Sequence, residues 1–347
     1  MKTIGVTTTI PVEVLLAAWY QPVDLNNIFI SDPDPDRLVN IAERSGFPQN
    51  CCTWIKGIYG ACVDRGIGTV LCVTTGDCSN TIMLMEVLKL RKFGVIPFAY
   101  PDRPDRDQMQ ARLRTLADTL GTTLEAAEDI RKELAPCRRL TKKLDTLTWK
   151  EGLVSGWENH IWLVSSSDFS GDHHRYRQEL RHLLAECRQR QPFSEELRLA
   201  YIGVPPVFAR DLHRFLEQRG ARVVFNEVQR QFSMPQPGNS LAEQYSNYTY
   251  PYSIFDRIKD IKAELRRRRV DGVIHYVQAF CHRAIGDIIF RGTLDLPVIT
   301  LEGNADYVLT PHLRTKAEAF LDMLSRSRRL LQEAGDSVKG RGYGLSS

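Results

Sequence analysis

A chain of 347 residues is long enough for two cores of ordinary domain size. An apolar share of 43%, a charged share of 25% and a formal net charge of +4 describe a globular protein with no electrostatic reason for a nucleic-acid partner. The longest apolar run, Val14 to Tyr20, falls far short of the roughly 20 residues of a membrane span, and Met1 leads straight into strand-like residues rather than a signal segment. The expectation is a cytoplasmic protein that uses no membrane.

In chain order, Thr3–Thr9 and Asn26–Ile30 read as strands, and Asp36–Arg44 and the stretch from Thr53 read as helices. Gly68–Cys78 reads as a strand and its loop, Asn80–Lys92 as a helix and Gly94–Tyr100 as the next strand. From Asp105 to Glu196 the chain is rich in Arg, Leu, Glu and Lys with few strand signals, so this middle is expected to be helical. The first grammar then repeats. Leu197–Val204 and Ala221–Val228 are strands around a helix at Phe208–Gly220. A helix from Ile254 to Arg269 precedes a strand and loop at Asp271–Cys281, a helix at His282–Phe290, a strand at Leu296–Asn304 and a closing helix at 315–333. Strands alternating with helices predict parallel α/β units. The expected division is an N-terminal α/β domain at 1–104, a helical segment at 105–196 packing on it, and a C-terminal α/β domain at 197–347. The basic run Arg266–Arg269 ends a helix, where cations complement the dipole; a docking patch is the alternative.

Eight cysteines stand at Cys51, Cys52, Cys62, Cys72, Cys78, Cys137, Cys187 and Cys281, with no C-x-x-C pair. That spacing argues against a zinc ribbon, a thioredoxin-like site and a ferredoxin-type run. Three of them share a position. Cys78 and Cys281 each follow a strand and open a helix whose next strand contains a proline, Pro97 or Pro297, and Cys52 precedes the first turn of a helix. Open α/β sheets bind ligands beyond the carboxyl ends of their strands, and a helix start favours thiolate. Two readings stay open on these grounds: a soft-metal site short of a fourth protein ligand, or small residues filling an α/β core. Cys72 alternates within a strand and belongs to the core; Cys62 and Cys187 lie inside helices; Cys137 follows Pro136 in a basic stretch.

Other candidates are weaker. Thr9 and Glu13 stand, with Thr8, where the first strand gives way to a helix, a place to meet a ligand or simply to start the helix. Glu86 is a proton carrier or a surface charge. His282 adjoins Cys281 and could donate to a ligand there; Lys56, one turn beyond Cys52, could supply positive charge or reach solvent. His173 and His174 follow a loop-like segment.

The stretches TTTIPVEVLLAAWYQPVDL, CTWIKGIYG, TTGDCSNTIMLMEVL, VDGVIHYVQAFCHR, LPVITLEGNAD and LRTKAEAFLDML, in that order, resemble the 2-hydroxyacyl-CoA dehydratase and benzoyl-CoA reductase superfamily, also called the 2-hydroxyglutaryl-CoA dehydratase D-component family. The resemblance implies two Rossmann-like domains with parallel sheets. It also implies one [4Fe–4S] cluster per subunit, held by Cys52, Cys78 and Cys281 with one iron open to substrate. Such a subunit pairs with a second copy or a paralogue and receives low-potential electrons from an ATP-dependent activator. It turns an acyl-CoA into a ketyl radical, as a lyase or reductase of anaerobic metabolism. Two departures, Asn304 in LEGN for the usual acid and Lys316 in TKAEAF for Arg, bear on the substrate more than on the cluster. Two alternatives remain: a reductase with an [8Fe–9S] double cubane, for which Cys51, Cys62 and Cys137 would complete the thiolates, and a non-catalytic cluster carrier or electron-transfer scaffold.

Overall fold

The strand-like runs assemble into two separate four-stranded sheets. In the computed structural model, which describes residues 1–194 and 197–340, the first sheet holds β1 (Lys2–Val6), β2 (Tyr20–Asp24), β3 (Thr69–Thr75) and β4 (Gly94–Ala99) in the order β2-β1-β3-β4. The second holds β5 (Leu197–Gly203), β6 (Ala221–Asn226), β7 (Gly272–Gln278) and β8 (Val298–Gly303) in the order β6-β5-β7-β8. Every pairing is parallel. Both sheets therefore have the two-domain Rossmann-like form, and in each the strand order reverses between the first and third strands.

One expected strand is a helix. Asn26–Ile30 falls within the helix Leu25–Ser31, and the strand lies just before it, at β2. The Asp24 carboxylate accepts from Asn26 N and caps the helix start, while Leu25 and Phe29, four apart, bury one face. Pro22 is tolerated in β2 because β2 is an edge strand.

The middle is helical: Arg106–Leu120, Leu124–Thr146, Gly156–Val164 and His173–Cys187. Side chains cap each start, with Asp105, Thr123, Ser155 and Asp172 accepting from first-turn amides. These helices share one core with the first sheet and with residues returning from the second half, among them Ile4, Val6, Leu113, Leu134, Tyr176 and Tyr245. The second sheet has its own core against the closing helix Pro311–Gly340, from Leu199, Tyr201, Ile274, Leu301, Phe320 and Leu324.

One long helix of the middle, Leu124–Thr146, holds both domains. Its Arg138 pairs with Glu13 in a buried contact that Gln244 Nε2 and Tyr245 Oη complete at 2.8 Å each. Its Asp145 receives both terminal nitrogens of Arg268, at 2.8 and 2.6 Å, and Arg268 Nε reaches Glu264 at 2.7 Å. Arg268 is fully buried. Arg266 and Arg267 stand exposed in the last turn of the helix Ile254–Arg267, as the helix-end reading expects, whereas Arg268 is sunk into the junction between middle and second domain. Among the described residues, no helix is long and apolar enough to cross a membrane.

Candidate metal centre

The loops that leave β1, β3, β5 and β7, the strands flanking both order reversals, meet around one cleft. Thr7, Thr8 and Thr9 follow β1, Asp77 and Cys78 follow β3, Val204 and Pro205 follow β5, and Cys281, His282 and Arg283 follow β7. The two switch points of the two sheets face each other, and Cys52 enters from the first domain's own helix Thr53–Asp64. Cys52, Cys78 and Cys281 all line this cleft.

Local backbone geometry aims the three sulfurs. Cys52 is the N-cap residue of its helix, and Cys281 that of the 3₁₀ turn His282–Gly286. Cys78 stands immediately before the first turn of Asn80–Leu90, with Thr81 N bonding to its carbonyl at 3.1 Å. Two glycines are required nearby. Gly76 holds φ +100°, and a Cβ there would stand 2.7 Å from Pro251 Cβ; Gly203 holds φ +97°, and its Cβ would meet Tyr276 O at 2.3 Å. Before Cys281 the turn falls on Phe280, a non-glycine residue at φ +62°.

The electrostatics differ from what the helix starts alone suggest. Burial raises all three thiols, Cys52 to about 11 and Cys78 to about 12. Backbone amides act in the other direction: those of Ile55 and Trp54 on Cys52, of Asn80 on Cys78, and of Arg283 and Ala284 on Cys281. The helix-start effect is present, and desolvation outweighs it. Cys78 is raised further by the proximity of Asp77, Cys52 and Cys281, so the sulfurs share one electrostatic neighbourhood. A bound metal would displace these protons, because thiolate is the ligand.

The remaining cysteines are elsewhere. Cys62 Sγ donates to Ile67 O and Cys137 Sγ to His173 O, each at 3.4 Å inside a packed core. Cys72 and Cys187 are buried among apolar neighbours, and Cys51 is half-buried beside Cys52.

Of the other candidates, Thr9 lines the cleft and Glu13 does not. Thr9 Oγ1 is buried and lies beside Tyr248 Oη without the alignment of a hydrogen bond. Glu13 is enclosed with Arg138, Gln244 and Tyr245, which use both of its oxygens. Lys56 is buried against Glu43 Oε1 at 2.7 Å and Gln49 O at 3.2 Å, turned from the cleft. Glu86 pairs with Lys89 at the surface. His282 lines the cleft, its Nδ1 3.5 Å from Ser79 Oγ across the domain boundary. His173 and His174 begin a helix and gather on Glu133.

Arg283 and Asp77 are cleft residues that sequence reasoning passed over. Arg283 donates to Gly76 O at 3.0 Å across the domain boundary, lies over the Tyr250 ring, and keeps a buried Nε without a partner. A signal existed: an arginine in the first turn of a helix opposes the dipole and calls for a nearby anion. Asn304, where the resemblance departs, accepts from Thr53 Oγ1 at 3.2 Å, beside Cys52.

The three thiols do not stand ready to close on one small ion. Sulfurs sharing a single zinc-like ion, about 2.3 Å from each, must lie within about 4 Å of one another. Among the described residues, the one trio of ligand atoms within 4.8 Å of one another is Glu133, His173 and His174; the three cleft thiols form no such tight group. At least one pair of the three sulfurs is therefore farther apart than 4.8 Å, and each sulfur is attended by backbone N–H groups.

Fold and cleft together define a class: a two-domain parallel α/β protein that presents three thiols, two from one domain and one from the other, to a shared cavity. The chain belongs to the 2-hydroxyglutaryl-CoA dehydratase D-component family, whose model matches residues 7–324. It is therefore a subunit of the 2-hydroxyacyl-CoA dehydratase type. A search of curated proteins found no match.

Proposed function

We propose that the chain holds one [4Fe–4S] cluster on Cys52, Cys78 and Cys281, and that the cleft beside it receives an acyl-CoA for one-electron dehydration. The single observation that carries this reading is the convergence of those three thiols on one cavity at both switch points. When bound, the cluster supplies low-potential electrons and, with three protein ligands, one iron open to a substrate oxygen. The electron source is a separate ATP-dependent activator, and the chain works as a dimer with a copy of itself or a paralogue.

The chain's own residues set the conditions for that chemistry. Ile30, Trp54, Ile55, Ile58, Val164 and Phe232 wall the cleft and exclude water from a reactive intermediate. Arg283 brings a fixed positive charge to the Cys281 end, where the bound cluster would carry negative charge. Thr9 offers a hydroxyl within the cleft. Glu13 serves the fold through Arg138 rather than the substrate. The position of Cys62 and Cys137, bonded to carbonyls inside separate cores, favours a single cubane over a double one. The apolar wall favours a substrate-bearing subunit over a bare electron carrier.

Anaerobic purification with iron and sulfide analysis tests the assignment. About four irons and four sulfides per chain are expected; about eight irons would replace it with the double-cubane reading, and none would overturn both. Turnover of an acyl-CoA with activator and ATP separates the enzyme from the carrier.

A further inference from the structure

Away from the cleft, one cluster of side chains has the donors and the spacing of a site for a single ion. Glu133 stands on the long helix Leu124–Thr146, and His173 and His174 open the helix His173–Cys187. His173 Nε2 lies 2.8 Å, and His174 Nε2 3.5 Å, from the same carboxylate oxygen, Glu133 Oε1. All three ligand atoms fall within 4.8 Å of one another. Ligand atoms set tetrahedrally about 2.0–2.1 Å from a zinc-like ion stand about 3.3 Å apart. The two measured spacings bracket that value.

Helix geometry alone does not produce this convergence. Successive residues of a helix point to different sides and do not face each other. Yet the two imidazole rings lie 4.1 Å apart, centroid to centroid, and turn to one oxygen. Nor does Glu133 share the habit of the acids around it. Arg131 pairs with Glu128, Lys132 with Asp129 at 2.8 Å, and Arg175 with Glu179 at 2.7 Å. The ion-pair partners of Glu133 among the described residues are the two histidines. The scaffold beneath them is fixed, because Cys137, one turn beyond Glu133, donates its Sγ to His173 O at 3.4 Å. His173 is half-buried on that scaffold, while His174 and Glu133 are open to solvent, so water has access to complete a coordination shell. A helix start opposes a cation. Here the Asp172 carboxylate offsets it, accepting from the amides of His174 and Arg175 at 3.0 Å each.

We propose that Glu133, His173 and His174 bind a divalent transition ion of the zinc class, at a structural site separate from the cleft. Two imidazoles and one carboxylate suit zinc, cobalt or nickel, whereas magnesium and calcium favour oxygen donors alone. The ion clips the start of one middle helix to the flank of another. The turn just before that start carries Asp168 and Gly171, which accept from Asp24 N at 2.8 Å and Gln21 Nε2 at 3.1 Å. The site therefore braces the contact between the middle and edge strand β2.

The test is anoxic titration calorimetry of the cluster-loaded full chain with Zn²⁺ alone, followed by gel filtration and zinc X-ray absorption. About one zinc per chain is expected, in a shell of nitrogen and oxygen donors with an imidazole signature. His174→Ala and Glu133→Ala, both at exposed positions, are expected to weaken binding at least about tenfold, the scale of losing even an outer-shell partner. Both should keep the iron content of the unaltered chain, and Cys51→Ser should keep the zinc. Zinc is also expected to raise the thermal unfolding midpoint of the unaltered chain more than that of His174→Ala. Sulfur in the zinc shell, or equal affinity in the variants, overturns the proposal by placing the ion elsewhere. Zinc lost on gel filtration overturns it as an adventitious surface contact only.

Discussion

The two α/β domains have the same strand order and the same parallel pairing, yet they aim sulfur by different means. The first supplies Cys52 and Cys78 at the starts of regular helices, with the tight turn before Cys78 given to a glycine. The second supplies Cys281 from a 3₁₀ turn, after a phenylalanine held at φ +62°. Their sheets differ too. β6 and β7 are buried along their whole length, whereas β2 and β4 are half open and depend on the helical middle and neighbouring segments for cover. Topology places a ligand-bearing loop, and local backbone geometry decides what that loop presents.

The junctions with the helical middle differ in charge as well as in place. The second domain is joined through Asp145 and Arg268; the first through Glu13 and Arg138, and also through Asp24 and Asp168, where Asp24 N donates to Asp168 Oδ2 at 2.8 Å. The largest expected effect comes from Arg268→Ala, which leaves Asp145 buried without its ion-pair partner, while Glu264 keeps Arg267 and Arg230. A loss of roughly 3–5 kcal/mol in urea unfolding is expected, and a loss under about 1 kcal/mol would show that the second domain does not depend on this clamp. Glu13→Gln is expected to be milder, about 2–3 kcal/mol, because the amide keeps an acceptor oxygen. Its iron content should match the unaltered chain, since Glu13 lies outside the cleft; iron loss would return Glu13 to the site.

A pH series separates the junctions by sign. Burial, with Asp24 nearby, pushes the Asp168 carboxyl up to about 7, so the folded chain holds a proton there that the unfolded chain releases near 4. That group costs stability progressively as pH rises from about 4 to 7. Asp145 behaves in the opposite sense: burial alone would raise it, but Arg268 holds it below its ordinary value, so its contribution is lost as the solution becomes acid. Asp168→Asn should flatten the decline between about pH 4 and 7 and leave the acid limb in place. An unchanged slope would mean that the carboxyl is not protonated in the folded chain.

Much of this arrangement was legible in the sequence because it is local. A Val- and Ile-rich run, a turn and a helix start are contiguous, so the strand-to-helix position of Cys78 and Cys281 could be read directly. The strand expected at Asn26–Ile30 failed for a reason also nearby: its Ile and Phe suit a strand, but Asp24 caps a helix two residues earlier. What the sequence hid is contact at a distance. Arg268 looks like a solvent-facing helix end until Asp145, 123 residues away, is placed against it, and Glu13 looks like a first-turn residue until Arg138 closes over it. Lys56 likewise faces Glu43 rather than the cleft. The apolar wall is drawn from several separate segments, and no single motif announces it.

The central claim is that thiols from both domains hold one metal group. Iron content of anaerobically purified Cys281→Ser, compared with Cys51→Ser and the unaltered chain, tests it most directly. The account predicts that Cys281→Ser loses most of its iron while Cys51→Ser, beside the cleft but not on it, keeps its full complement. Full iron in Cys281→Ser would contradict it, for the second domain would then contribute no ligand.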